Sequence, residues 1–160
     1  MKIAIIGTHS TGKTTLVNEL GKELNDHVVI PELARVFQVE RILPEKRTID
    51  LQHDMQITHL IIEDCHEKFV SDRSILDYAI YSQNEKFIRQ TLRIMKGRYT
   101  HLFYIPIKFE VKPDGFRNTD EEYRNHIDNL FRKYAPVGTK EIISYTLKDR
   151  IHEVKCYLEG

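Results

Sequence analysis

The sequence has no tryptophan and two cysteines, Cys65 and Cys156, in 160 residues. Without a CxxC spacing or a dense even set of cysteines, it offers no disulfide framework and no thiolate metal site. Both thiols are expected to stay reduced, in a cytoplasmic setting. Excess charge is lacking too: Lys plus Arg and Asp plus Glu number 24 each, a formal net charge of zero. A protein that grips duplex nucleic acid carries a basic excess or stripe, so this balance argues against a nucleic-acid partner. No segment approaches the roughly 20 apolar residues of a membrane span. The opening run KIAIIG is too short for a signal-peptide core. These absences leave a soluble protein with small-molecule partners, and no pattern fixes an oligomeric state. The length fits one domain over residues 1–160, large enough to bury about two-thirds of its unfolded surface.

What is present is an alternation of short apolar runs with longer helical patterns. Ile3 to Ile6, Val28 to Ile30, Phe69 to Val70, Leu102 to Ile107 and Ile142 to Thr146 are rich in β-branched or aromatic residues and read as strands. Helical patterns cover Lys13 to Asn25, Leu33 to Arg41, Thr48 to His66, Ile75 to Tyr81, Glu85 to Lys96, Asp120 to Tyr134 and Lys148 to Leu158. In the sixth, Tyr123, Ile127, Leu130, Phe131 and Tyr134 recur at three- and four-residue steps. Such an alternation predicts an α/β, three-layer sandwich: a mainly parallel five-stranded sheet with helices on both faces. Ligands then bind at the carboxyl ends of the strands. The long polar insertion from Phe109 to Thr119, holding Pro113 and Gly115, reads as a linker or a short lid.

Gly7-Thr8-His9-Ser10-Thr11-Gly12-Lys13-Thr14 matches GxxxxGK[ST], directly after a strand and directly before a helix. Glycines let the backbone turn so that successive N–H groups face phosphate oxygens, and the helix adds its positive end. This predicts a nucleoside triphosphate site, with ATP and Mg expected, running from Gly7 through His9, Ser10, Thr11 and Gly12 to Lys13, Thr14 and Thr15. Lys13 meets the outer phosphates, and the Thr14 hydroxyl is a natural magnesium ligand. His9 is expected to contribute backbone, not catalysis.

Acidic residues fall where such a site needs them. Asp72 follows Phe69-Val70, placed to hold magnesium opposite Thr14, or simply to cap the next helix. Arg73 beside it suits a phosphate or a carboxylate. Glu32 follows Val28 to Ile30, where it accepts a proton from an acceptor hydroxyl or merely complements a helix dipole; Arg35 lies one turn on. Arg117 in the insertion, and Arg124 two turns later, are candidates to close over the phosphates; the plain alternative is solvated surface charge. His59, Glu63 and His66 superficially suggest a metal site. They have no HExxH pattern and no cysteine at ligand spacing, so structural or surface histidines are the expectation. Leu51, Met55, Leu60 and Ile62 read as core, and Lys148 to Lys155 as a solvated helix, one residue of which is able to line an adenine pocket.

Taken together, GTHSTGKT, PELAR after the second strand, SDRSILDYAIY after the third and DGFRN in the insertion resemble the NadR-like P-loop kinases, a family of AAA-type domains that includes ribosylnicotinamide kinase domains. The same segments look like those of deoxyribonucleoside kinases. The resemblance implies ATP- and Mg-dependent phosphoryl transfer to a nucleoside- or nucleotide-like acceptor, nicotinamide riboside or a deoxynucleoside among the candidates. It implies Glu32 as the base, Asp72 and Arg73 in the magnesium and phosphate role, and Arg117 with Arg124 as lid residues. Gln56, on the third helix, stands as a candidate acceptor contact with Arg35. Two rival readings are an ATP-gated regulatory module without an acceptor and a polynucleotide 5′-end kinase.

Overall fold

The computed structural model describes residues 1–37, 49–108 and 121–160. Arg117, the whole of the expected lid and the second half of the helix expected over Leu33 to Arg41 lie outside the described residues. Five parallel strands, β1 (Lys2–Ile6), β2 (Val28–Ile30), β3 (Phe69–Asp72), β4 (His101–Tyr104) and β5 (Lys140–Glu141), form one sheet in the order β2-β3-β1-β4-β5. The described helices are α1 (Lys13–Glu23), α2 (Leu33–Val36), α3 (Ile49–Asp64), α4 (Ile75–Ser82), α5 (Glu85–Ile94), α6 (Glu121–Tyr134) and α7 (Leu147–Glu159). None is long and apolar enough to cross a membrane, among the described residues.

The period-two geometry of a strand decides how the core divides. In β1, Ile3 and Ile5 point to one face of the sheet, where Leu16, Val17 and Leu20 of α1 and Val154 of α7 cover them. Ala4 and Ile6 point to the other, against Ile75, Ala79 and Ile80 of α4, Ile88 of α5, and Ile127 and Phe131 of α6. Both faces are buried, so the strand reads as a continuous apolar run. Leu33, Met55 and Tyr78 make a smaller cluster under α2 and α3.

Three elements depart from their sequence reading. The last strand pairs at Lys140–Glu141 and not over Ile142 to Thr146. Ile142 is buried and its N–H still reaches Tyr104 O at 2.9 Å, but the next two N–H groups, of Ile143 and Ser144, go to the Glu153 carboxylate. That carboxylate takes the backbone groups a longer strand needs. The helix α7 is not a wholly solvated one: Arg150 and Val154 are buried. In α3 the buried set is Met55, Gln56, His59 and Glu63, while Ile57 and Ile61 are exposed. Polar groups go inside there because they satisfy one another. His59 Nδ1 pairs with Tyr78 Oη at 2.9 Å, and Nε2 lies 3.0 Å from Ser71 Oγ and 3.1 Å from Glu63 Oε1. Glu63 also accepts from Tyr99 and Arg98 at 2.7 and 2.5 Å.

Candidate active site

The register sets Asp72 of β3 beside Ile5 of β1 and Tyr104 of β4 beside Ile6, so the carboxyl ends of the central strands form one edge. The Gly7 to Thr14 loop springs from that edge. Gly7 has φ +138°, and a Cβ there would lie 2.5 Å from Ile105 O, so a side chain is excluded both by conformation and by space. Gly12, at φ +89°, ends the loop as the N-cap of α1, whose first turn holds no acidic residue. The positive end of an 11-residue helix therefore faces the loop with no carboxylate of its own first turn to neutralise it.

Cations surround the loop. Lys13 Nζ donates to Thr8 O at 2.6 Å and lies 3.4 Å from Thr11 Oγ1. Arg124 of α6 reaches His9 O and Ser10 O, each at 3.3 Å. Arg150 of α7 donates to Thr11 O at 2.8 Å and to Ser144 O at 3.0 Å. The His9 N–H is held by Tyr81 Oη at 2.9 Å. Burial brings the Lys13 ammonium down to about 8, Arg73 adding to the effect and Asp72, Glu32 and Asp77 opposing it.

Thr14 Oγ1 donates to Asp72 Oδ2 at 2.5 Å, and Asp72 is fully buried. Its other oxygen, Oδ1, is buried with no hydrogen-bond partner. Such an acceptor is costly unless something occupies it. A hydroxyl and a carboxylate with an orphaned oxygen beside a phosphate loop form the donor set that suits magnesium, which keeps several waters and takes few protein ligands.

Across the cleft, Arg73 stands at φ +99°, a conformation that costs a non-glycine residue about 1–3 kcal/mol. The kink turns its guanidinium onto Glu32: Nε donates to Oε1 at 2.9 Å, and Nη2 donates to the same oxygen. Nη1 lies 3.5 Å from Asp77 Oδ1, and the guanidinium sits 4.8 Å from the centre of the Tyr81 ring. Burial opposes its charge, but Glu32, then Tyr81, Asp77 and Asp72, outweigh this and leave its pKa above the ordinary range. Asp77 closes a capping box with Ser74 at the start of α4, and burial raises its pKa against the pull of Arg73. Glu32 Oε2 accepts from Arg35 Nε at 2.9 Å. Residues His9 to Thr15, Glu32, Arg35 and Arg73 line one cleft of about 260 Å³.

The structure thus brings the phosphate loop, Asp72, Glu32, Arg35 and Arg73 together. Arg124 lies against the back of the loop. Gln56 lies elsewhere: its amide donates to Ile75 O and Thr91 Oγ1 in the interior between α3, α4 and α5. Sequence reasoning did not single out Tyr81, Asp77 or Arg150. For Asp77 a signal existed, the Ser-x-x-Asp capping spacing; Tyr81 and Arg150 had none.

A parallel sheet whose first strand feeds a phosphate loop and helix, with a carboxylate ending the neighbouring strand, defines a P-loop nucleotide-binding domain. The family model described as AAA domain matches residues 2–137, and the chain belongs to that family. None of the curated proteins compared matches it. Among solved structures it resembles deoxyadenosine kinase from M. mycoides with products dCMP and dCDP, at 17% identity and TM-score 0.70, covering 99% of each chain. Shikimate kinase from Aquifex aeolicus shares 19% identity at TM-score 0.71, over 100% of this chain and 97% of that one. NadR in complex with NR shares 19% at TM-score 0.72, over 98% of this chain but 50% of that one. At these identities the likeness establishes the fold, that of the P-loop kinases.

Proposed function

We propose that the protein transfers the γ-phosphoryl group of ATP to a hydroxyl or phosphate of a small nucleoside-like acceptor. The observation that carries this reading is the Glu32–Arg73 pair, buried on the wall of the same cleft as the phosphate loop. A module that only binds and slowly hydrolyses ATP needs the loop but not a carboxylate and guanidinium facing an acceptor space.

In this reading the loop N–H groups and the α1 terminus hold the donor phosphates, and Lys13 offsets their charge. Thr14 and Asp72 hold magnesium, which when bound neutralises charge on the phosphate oxygens. Glu32 is the group that orients the acceptor and takes its proton. Its Oε1 is fixed by Arg73. Its Oε2 is held by Arg35, a side chain 45% exposed, so an acceptor hydroxyl reaches the carboxylate by displacing Arg35. Arg73 and Arg117 complete the positive surroundings of the phosphoryl group, while Arg124 acts on the loop through the His9 and Ser10 carbonyls. The nucleoside chemistry of the acceptor is suggested by relatives that bind nucleosides and nucleotides.

The test is label transfer from γ-labelled ATP with magnesium to nucleosides, nucleotides, nicotinamide riboside and 5′-hydroxyl oligonucleotides. A labelled small-molecule product, lost in Lys13→Ala with the fold retained, is the expected result. ATP binding without transfer to any acceptor would sink the kinase reading in favour of a gated module. Label appearing on the oligonucleotide alone would point to end-processing instead.

A further inference from the structure

Four consecutive carbonyls of the phosphate loop, from Thr8 to Thr11, each face a cationic side chain: Lys13, Arg124, Arg124 again, and Arg150. These side chains are not equivalent. Lys13 belongs to the loop itself and is the one that incoming phosphates compete for. Arg124 stands on α6, directly after the segment expected to form the lid. Arg150 comes from α7, on the opposite face of the sheet, 139 residues from its partner Thr11.

Arg150 is 5% exposed, and its guanidinium spans two backbone groups, Thr11 O through Nη1 and Ser144 O through Nε. It sits so near the loop that a Cβ on Gly12 would lie 2.9 Å from Nη1. In a trans peptide the carbonyl and the following N–H point in opposite directions, and the described residues contain no cis bond. Holding Thr11 O toward α7 therefore turns the Gly12 N–H away from α7. The same bond sets the Thr11–Gly12 peptide plane at the entrance to α1, where Gly12 has a freely variable backbone. Glu153, three residues on in α7, takes the N–H groups of Ile143 and Ser144, and Lys108 Nζ adds a hydrogen bond to Ser144 O at 3.2 Å. The far end of the Arg150 bridge is thereby anchored on both sides of its peptide.

We propose that Arg150 is a positioning residue of the donor site, which aims the Gly12 N–H at the triphosphate by fixing the Thr11 carbonyl from α7. This rests on the reading of Gly7 to Thr14 as a phosphate site. Its effect falls on phosphate recognition, not on the base, because the atom it fixes lies in the phosphate loop. Losing a charge-assisted hydrogen bond that holds the loop weakens affinity for phosphate on the order of 10- to 100-fold.

The experiment compares ATP and inorganic tripolyphosphate, with magnesium, by calorimetry on the full chain and on Arg150→Met and Arg150→Lys. The expected result is a similar loss for both probes in Arg150→Met, with part of the affinity restored in Arg150→Lys, which keeps one donor for Thr11 O. A loss for ATP with tripolyphosphate unchanged would overturn the proposal by assigning Arg150 to the base side through Ser144. Unchanged affinity for both, with only a lowered melting temperature, would overturn it by making the residue purely structural. If Arg150→Met does not fold, Arg150→Lys decides alone: affinities equal to the parent for both probes reject the proposal. If the parent binds neither probe, it is the phosphate-site reading that fails, and this proposal with it.

Discussion

Replacing Glu32 by Gln preserves the side-chain shape and removes one charge, and its consequences can be followed bond by bond. Glu32 and Arg73 are each 6% exposed, with Arg73 donating twice to Oε1 and Arg35 once to Oε2. A glutamine has a single acceptor oxygen, so its NH₂ must face Arg73 or Arg35, donor against donor. The two sides carry different weights. Arg35 is 45% exposed along its side chain, and a rim pair of that kind is worth about 0.5 kcal/mol. Arg73 is buried, and removing the partner of a buried charge costs about 3–5 kcal/mol. Asp77, 3.5 Å away, and the Tyr81 ring remain beside the guanidinium, which reduces the expected loss to about 2–3 kcal/mol. For a domain of this size each kcal/mol moves the melting temperature by about 2–4 °C, so a fall of roughly 5–10 °C follows. Phosphoryl transfer falls by about 10²- to 10⁴-fold, the usual weight of a positioned base. The double variant Glu32→Gln with Arg73→Met removes both charges, so most of the melting temperature returns while activity does not. Thermal melts by circular dichroism and initial rates with labelled ATP read the two effects separately. A Glu32→Gln protein that melts within about 1 °C of the parent and transfers at its rate would refute the reasoning.

Lys13 and Gly7 give three further predictions. The folded pKa of Lys13, about 8, lies below its ordinary 10.5, so between these values the unfolded chain holds more protons and stability rises with pH. Without nucleotide, Lys13→Met is therefore expected to melt higher than the parent at pH near 7 and to flatten that rise; unfolding at a series of pH values checks the sign. Triphosphate favours the charged ammonium, so ATP binding takes up a proton as pH rises through about 8 and weakens above it. Calorimetry in two buffers of different ionisation heat measures this directly, and zero proton uptake there contradicts the burial argument. Gly7→Ala places a Cβ 2.5 Å from Ile105 O at φ +138°, a loss of at least about 2 kcal/mol. It appears as a lower urea midpoint, and an unchanged midpoint would mean that the loop backbone can relax.

The sequence by itself determined the parts of this protein that depend on neighbours along the chain. A loop needing glycine at Gly7 and Gly12, a lysine and a hydroxyl at the start of a helix, and a strand before it is a local pattern. It is visible because backbone conformation and helix polarity act over a few residues. The same holds for Glu32 and Asp72, which follow apolar runs and so fall at strand ends. Tertiary structure decided which distant groups meet. The sequence marked Leu51, Met55, Leu60 and Ile62 as the core of α3, yet His59, Glu63 and Gln56 also face inward because Tyr78, Ser71, Arg98 and Thr91 happen to lie opposite them. The break of the last strand after Glu141 depends on Glu153, ten or more residues later, capturing the N–H groups that would extend it. Arg150, to all appearance one charge in a solvated helix, ends against Thr11 because strand order places α7 beside α1. Spacing along a chain carries no record of such meetings: a hydrogen bond between residues 139 apart is fixed by sheet order and helix packing, not by local preference.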